Sequence, residues 1–176
     1  AGFDVGIYIG TGQCYVEGNR IGATLEGPLP PSNLLYGIYC DDGSIDSAVI
    51  GGAGAGNVIC GAANAGIVQA FGFTQGSRIQ GNYIGVTPEG VAGPNGAGIM
   101  VSWNNYVTQV GGAAPGEGNI VCNNRTHGIL VYGGKWGDTT NVTIQGNRIG
   151  IAESGEAMPN GGHGLWICGG AHDLLV

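Results

Sequence analysis

The stretch Gln145-Gly146-Asn147-Arg148-Ile149-Gly150 decides the fold, because close copies of it occur twice more in the chain. Gln80-Gly81-Asn82-Tyr83-Ile84-Gly85 lies 65 residues earlier, and Glu17-Gly18-Asn19-Arg20-Ile21-Gly22 lies a further 63 residues before that. A pattern that returns at nearly constant spacing is an internal repeat, and internal repeats indicate a solenoid or a related array.

A second repeated pattern, Gly followed by Ile or Leu and mostly apolar residues, alternates with the first. Its copies begin at Gly6, Gly37, Gly66, Gly98, Gly128 and Gly164, with spacings of 31, 29, 32, 30 and 36 residues. A weaker Gly-Asn pair, at 56–57 and 118–119, falls between the strong copies. The structural unit is therefore about 31 residues long, and two units make the longer repeat.

Each unit contains three short apolar runs bounded by Gly, Asn or Pro, which is typical of strands. In the last unit they are 142–144, 148–151 and 165–167. The 39 glycines and the charged fraction of 10% argue against long helices. The prediction is an all-β fold, a right-handed parallel β-helix of about five to six coils with three strands each. We expect a single domain over 1–176, uncapped at both ends, as a segment of a longer array or an end-stacking unit.

The loops fall into two classes. Units with the strong pattern have a long loop after Ile-Gly, at 23–36, 86–97 and 151–163, whereas weak units have an insertion before Gly-Asn. We expect the two classes to leave the solenoid at different corners.

Composition excludes several function classes. The net charge is −7, with only five Lys and Arg, so nucleic acid and anionic membrane surfaces are not expected partners. No apolar run is long enough to predict membrane insertion. The five cysteines lack CxxC spacing, which argues against zinc and favours small buried hydrophobic residues.

These patterns resemble the repeats of right-handed parallel β-helix proteins of the pectin-lyase-like superfamily. The resemblance is carried by I-x-G-N-x-I-G, a loop ending in Pro-Asn, G-I-x-V, V/I-G-G and G-N-x-I, and it covers essentially the whole chain. It is closest to repeats of large secreted or surface-anchored bacterial proteins. It implies an extracellular or cell-surface structural or adhesive module that assembles end to end or laterally into a fibre or surface layer.

The resemblance implies other copies of the chain or flanking repeats as partners, and polysaccharide as a further candidate. A carbohydrate-active enzyme or polysaccharide-binding domain of the pectin-lyase type is the alternative, because the same coil serves enzymes, adhesins and passive stalks.

One asparagine per coil follows a glycine at the same position. Asn tolerates a left-handed turn, and stacked Asn amides bond to one another, so we predict an internal ladder, as in the family that the chain resembles. Its members are Asn19, Asn57, Asn82, Asn119 and Asn147. The next residue in the strong coils, Arg20, Tyr83 or Arg148, is expected to face outward.

A polygalacturonase-like site is suggested by Asp41-Asp42 and Gly162-His163-Gly164, since that family uses paired Asp and Gly-His-Gly motifs. The two motifs lie about four coils apart, or roughly 19 Å, which is too far for one site. The slot of His163 is also a repeated position, occupied by His127 in the preceding unit. We therefore predict no catalytic residue and expect no enzyme activity.

Asp41, Asp42 and Asp46 are candidates for one Ca²⁺ site completed by backbone carbonyls, with a solvated polar turn as the simpler interpretation. No other cofactor is predicted. Asn124 and Asn141 begin sequences that match glycosylation sequons.

The Gly-Ile strands present an outward column that is expected to be polar but is apolar throughout. Its members are Tyr8, Tyr39, Val68, Met100, Leu130 and Trp166. This column is the candidate contact surface. Three interpretations stay open: cover by the chain's own loops, packing on another chain, or a sugar-stacking platform with Trp103, Tyr132 and Trp136 nearby.

Overall fold

The computed structural model describes residues 4–10, 12–29, 34–41, 47–70, 76–103, 106–134 and 137–176, apart from the side chains of residues 106 and 107. The strands in these ranges form three parallel sheets, and successive strands pass through the three sheets in a fixed order. The predicted all-β parallel solenoid with three strands per coil is confirmed, and the described residues contain no helix.

The strands are short, as expected for a chain with frequent glycine. In chain order they are β1 (Val5–Ile9), β2 (Gln13–Val16), β3 (Arg20–Ile21), β4 (Tyr36–Cys40), β5 (Ser47–Gly51), β6 (Val58–Ile59), β7 (Ala65–Ala70), β8 (Ser77–Gln80), β9 (Tyr83–Ile84), β10 (Ala97–Ser102), β11 (Tyr106–Gly111), β12 (Ile120–Val121), β13 (Ile129–Tyr132), β14 (Thr140–Gln145), β15 (Arg148–Ile149) and β16 (Leu165–Cys168).

Each coil contributes one strand to each sheet. Sheet A runs in the order β1-β4-β7-β10-β13-β16, sheet B in the order β2-β5-β8-β11-β14, and sheet C in the order β3-β6-β9-β12-β15. At about 4.8 Å per step, the six strands of sheet A extend about 24 Å along the axis. The described part of the chain therefore holds five coils and the beginning of a sixth.

The core is built from side chains stacked one coil above another. Ile38, Ile67, Ile99 and Ile129 pair in register in sheet A and have no exposed surface. The polar side chain of Gln69, two residues after Ile67 on the same strand, is also buried. Residues one repeat apart in the sequence therefore contact each other along the solenoid axis, because every coil places the same residue type at the same point.

The turn between sheets B and C explains the repeated Gly-Asn pair. In the strong coils the glycine has a positive φ, 67° at Gly81 and 68° at Gly146. Residues that carry a Cβ rarely adopt such a backbone conformation. In the weak coils the reason is space: a Cβ at Gly56 would lie 1.7 Å from the Gly81 carbonyl oxygen. One sequence pattern therefore meets two different steric demands.

The two loop classes do leave at different corners. The long loops of the strong coils lie between sheets C and A, and the insertions of the weak coils lie between sheets B and C. Each long loop begins with a small antiparallel bridge, Ala23 to Pro28, Val86 to Ala92 and Ile151 to Ala157. These bridges fold back over sheet C, where Ala23 packs with Val58 and Cys60 of the next coil.

Candidate functional site

The five predicted ladder asparagines lie in one hydrogen-bonded column at the corner between sheets B and C. Successive Nδ2-to-Oδ1 distances along the column are 3.0, 2.9, 2.9 and 2.8 Å. Each acceptor Oδ1 also receives the backbone N–H of the preceding asparagine, as in Asn57 N–H to Asn82 Oδ1 at 3.0 Å. Asn57, Asn82 and Asn119 are fully buried, so the column supports the turn and offers no ligand surface at its centre.

A second asparagine ladder, which the sequence reasoning missed, lies at the corner between sheets C and A. Asn95 Nδ2 donates to Asn124 Oδ1 at 3.1 Å, and Asn124 Nδ2 donates to Asn160 Oδ1 at 3.0 Å. In the coil before Asn95, the backbone N–H of Ala62 donates to Asn95 Oδ1 and extends this ladder by one coil. The repeated Pro-Asn at the end of two long loops was the available signal.

The outward column of sheet A is split between a covered centre and exposed ends. Its members pair in register. At its centre Val68 is only 1% exposed and belongs to a cluster that includes Tyr39, Met100 and Trp103. At its ends Tyr8 is 59% exposed and Trp166 is 40% exposed. The chain itself thus covers the middle of the column, and the two aromatic ends face solvent.

Two histidines join Trp166 at one of these ends. The His127 ring lies 4.6 Å from the Trp166 ring and 5.2 Å from the His163 ring, measured between centroids. The backbone N–H of His163 donates to His127 Nδ1 at 3.1 Å, so that nitrogen acts as an acceptor. Burial, followed by the neighbouring His163, lowers the pKa of His127, which favours a neutral ring. The result is a group of three aromatic rings, inclined to one another by 26–55°, in which the neutral form of His127 is favoured.

Three tyrosines form a matching cluster at the other end. Tyr8 and Tyr39 stack with ring centroids 6.0 Å apart, and Tyr36 lies 4.9 Å from Tyr39. The Tyr8 hydroxyl donates to Asp41 Oδ2 at 3.3 Å. Burial raises the pKa of Tyr39 to about 12, and the Asp41 carboxylate adds to the effect. Tyr39 therefore stays protonated at neutral pH, and the cluster offers ring faces with hydroxyl edges.

A groove of about 660 Å³ lies outside the corner between sheets B and C. Half of its lining residues are glycines, at positions 54, 56, 81, 112, 116, 118 and 146. The other side is formed by Tyr83, Arg148 and Glu153: the Tyr83 hydroxyl donates to the Glu153 carboxylate, and Arg148 donates to the Glu153 backbone oxygen at 2.9 Å. Burial, and then the bond to Glu153, raise the pKa of Tyr83 to about 12. Sequence reasoning placed Arg148 and Tyr83 outward but did not foresee that the weak-coil insertions would wall a groove beside them.

The calcium prediction falls mostly outside the described residues, and the two polygalacturonase-like motifs lie apart. Asp42 and Asp46 of the calcium prediction lie outside the described residues, and Asp41 instead bonds to Tyr8. Within the described ranges no three or more His, Cys, Asp or Glu side chains come together as a metal site. The Asp41 and His163 motifs belong to strands four steps apart in sheet A, so they do not form one site.

The two sequon asparagines differ in their exposure to solvent. Asn124 is 2% exposed and bonded within the second ladder, whereas Asn141 is exposed at the start of β14. All five cysteines are free thiols, and Cys40, Cys60 and Cys122 are buried, as the sequence interpretation expected.

Comparison with known proteins adds no family. No family model, curated protein or solved structure matches this chain. The described segments also contain no helix with the length and apolar character to cross a membrane. The two aromatic clusters and the glycine-lined groove are the features that bear on function.

Proposed function

We propose that this chain is an extracellular or cell-surface structural or adhesive module of the pectin-lyase-like superfamily. In this proposal a rigid β-solenoid uses the outer face of sheet A to contact another molecule. The observation that carries it is the outward column of sheet A, whose ends expose Tyr8 and Trp166 to 59% and 40%. Exposed aromatic side chains at fixed spacing favour a contact surface, because leaving their rings in water forgoes the free energy of burial.

The rest of the molecule supports a passive, rigid rod. Two asparagine ladders and three continuous sheets fix each coil on its neighbours. Such a frame holds the Tyr8 and Trp166 clusters about 24 Å apart along the axis, five strand steps of sheet A. A rigid pair of sites loses little conformational entropy when both bind one extended surface.

The charge limits the kind of partner. With a net charge of −7, the chain repels polyanions such as acidic polysaccharides. The lowered pKa of His127 and the raised pKa of Tyr39 favour the neutral forms of these two rings, so the clusters suit an apolar or neutral polar surface. Other copies of the chain, flanking repeats and neutral polysaccharide are the partners we propose.

A second candidate function is a polysaccharide-binding or carbohydrate-active domain, favoured by the groove beside Tyr83. Its phenol ring, the Arg148 guanidinium and the Glu153 carboxylate could bind hydroxyl groups of a sugar chain. Hydrolysis requires two carboxyl groups flanking one bond. Glu153 is the only carboxylate among the lining residues of the described groove, so binding is the better supported part of this candidate.

The proposal is tested with Trp166→Ser and Tyr8→Ser, using Tyr15→Ser as the matched control. Tyr15 is 66% exposed but lies on sheet B, away from the candidate surface. Self-association is measured by sedimentation velocity, and sugar binding by affinity electrophoresis in gels that contain neutral glucan or mannan.

We expect Trp166→Ser and Tyr8→Ser to weaken whichever association the wild type shows by tenfold or more, which corresponds to about 1.4 kcal/mol. Tyr15→Ser should leave it unchanged. Equal effects of all three substitutions, or no association of the wild type with itself or with either glycan, would overturn the proposal. A loss of glycan binding only on Tyr83→Ala would favour the groove instead.

A further inference from the structure

The position before the repeated glycine of sheet A forms a column along the solenoid, and two consecutive members of this column are histidines. From coil to coil the column holds Tyr36, Ala65, Ala97, His127 and His163. The backbone N–H of Gly128 donates to the His163 carbonyl oxygen at 3.0 Å, which fixes the two histidine backbones one coil apart. The Trp166 ring packs beside both imidazoles, with centroids 4.6 Å from His127 and 5.4 Å from His163. Neighbouring coils therefore hold the two rings side by side on the outer face of sheet A.

The two imidazoles are arranged like a pair of metal ligands. Their Nδ1 atoms are 3.4 Å apart, although their ring centroids are 5.2 Å apart. Because the nitrogens are so much closer than the centroids, both Nδ1 atoms point into the space between the rings. For two imidazoles on one tetrahedral ion, Zn–N bonds of about 2.05 Å place the nitrogens about 3.3 Å apart and the centroids about 5.1 Å apart. The rings of His127 and His163 thus need little movement to bind one ion together.

We propose that His127 and His163 form a binding site for one divalent transition-metal ion of the zinc type, with Nδ1 of each ring as the protein ligands. Imidazole nitrogen suits Zn²⁺, Cu²⁺ and Ni²⁺, whereas Mg²⁺ and Ca²⁺ prefer oxygen ligands. Two protein ligands are fewer than the three or four of catalytic and structural zinc sites, so water fills the remaining positions. The net charge of −7 adds a general attraction for cations. The site belongs to a single chain, so it does not depend on the proposed contact with a partner.

Hydrogen bonding prepares one of the two nitrogens for this role. The backbone N–H of His163 donates to His127 Nδ1 at 3.1 Å, so this nitrogen presents a lone pair, and the proton of the neutral ring is on Nε2. A Cβ on residue 162 would lie 2.8 Å from the same nitrogen, so Gly162 keeps this side of the ring open. When the ion binds, it takes the place between the two Nδ1 atoms, and each neutral ring has its proton on Nε2. The His163 N–H then bonds to water.

The experiment is a calorimetric titration of the 176-residue chain with Zn²⁺, at slightly alkaline pH in a buffer that does not bind metals. His127→Gln and His163→Gln each remove one ligand. His172→Gln is the matched control, because His172 is the third and last histidine of the chain. It is a stringent control, since the His172 ring lies beside the carboxylates of Asp138 and Asp173.

We expect saturable Zn²⁺ binding that either His127→Gln or His163→Gln weakens by about tenfold or more. The reason is that fixing two ligands side by side raises the effective concentration of the second for an ion that is held by the first. His172→Gln should leave the affinity unchanged. Circular dichroism of the variants shows that each is folded, because these substitutions replace rings on the surface and leave the core intact.

NMR of the imidazole C–H signals locates the ion. Zn²⁺ should shift the signals of His127 and His163, which the glutamine variants assign, and leave those of His172 in place. Mg²⁺ at the same concentration should shift none of them. No saturable Zn²⁺ binding up to millimolar concentration, an equal response to Mg²⁺, or binding that is insensitive to both His127→Gln and His163→Gln would overturn the proposed metal site.

The outcome is separable from that of the proposed function, because Zn²⁺ binding is measured on the chain alone. If Trp166→Ser and Tyr8→Ser weaken association as expected and Zn²⁺ does not bind, only the metal site fails. If Zn²⁺ binds as expected and those two substitutions are silent, the contact surface fails and the metal site remains.

Discussion

The substitution Asn82→Ala, at the middle of the first asparagine ladder, is expected to be among the most damaging single changes in this chain. Asn82 Oδ1 accepts from the backbone N–H of Asn57 at 3.0 Å and from its side-chain amide at 2.9 Å. Asn82 Nδ2 donates to the backbone oxygens of Ile50 and Gln80 and to Asn119 Oδ1. All of these bonds disappear in the alanine variant, and Asn82 has no exposed surface through which water could replace them.

The magnitude follows from the buried groups that lose this partner. A buried donor or acceptor left unsatisfied costs about 1–3 kcal/mol, so losing the bonds to Asn57 N–H and Ile50 C=O costs about 2–6 kcal/mol together. That is a large share of the roughly 5–15 kcal/mol by which folded domains are stable. The expectation is a clear fall in the urea midpoint of unfolding, followed by far-ultraviolet circular dichroism.

The matched control is Asn19→Ala at the exposed end of the same ladder. Asn19 Nδ2 donates to Asn57 Oδ1 at 3.0 Å, but that oxygen still accepts the Asn19 backbone N–H in the variant. Because water reaches Asn19, the loss should be only about 0.5–1.5 kcal/mol. If Asn82→Ala were no more destabilising than Asn19→Ala, the ladder would not stabilise the core, and the reasoning from burial would be wrong.

Three further predictions concern residues whose burial decides their chemistry. On secretion from a glycosylating eukaryotic host, mass spectrometry should find glycan on exposed Asn141 and none on Asn124, whose amide is bonded in the second ladder; glycan on Asn124 would contradict that ladder. Burial raises the pKa of the Cys60 thiol to about 12 and raises that of half-buried Cys14. Iodoacetamide at about pH 8 should therefore label Cys14 before Cys60, which should react only with global unfolding. Since burial and His163 lower the pKa of His127, the unfolded state binds its proton more readily, and stability should fall as the pH drops through about 6.5. His127→Phe should flatten this part of the melting-temperature profile, and an unchanged slope would refute the assignment.

The sequence predicted the coil well because the coil is built from local, repeated demands. The Gly81-Asn82 pair must turn the chain, and its copies at 18–19 and 146–147 do the same, so aligning the copies places Asn above Asn. The same logic applies to Ile38 and Ile67, which follow the repeated glycine and lie in one buried column. A periodic sequence reveals any property that depends only on the residue one coil away.

Properties that depend on loops crossing between coils could not be predicted in this way. Val68 is in an outward column, yet it is buried in a cluster with Tyr39, Met100 and Trp103. The groove beside Tyr83 arises because two weak-coil insertions and one strong-coil loop meet outside sheet C, and no repeat in the sequence encodes that meeting. These contacts join segments that differ from coil to coil, and the functional candidates lie among them.

The alternation of strong and weak coils explains why sheet A is the better candidate surface. Outward apolar residues occur on sheet C as well, but Val58 is 5% exposed and Ile120 is 8% exposed, because the long loop of the preceding strong coil covers each of them. Contacts within the chain therefore explain why Val58 and Ile120 are apolar. The same cover is absent over the described ends of sheet A, where Tyr8 and Trp166 remain in solvent. Apolar residues thus have two different explanations in one molecule: Val58 and Ile120 on sheet C are covered within the chain, whereas Tyr8 and Trp166 on sheet A are candidates for contact with a partner.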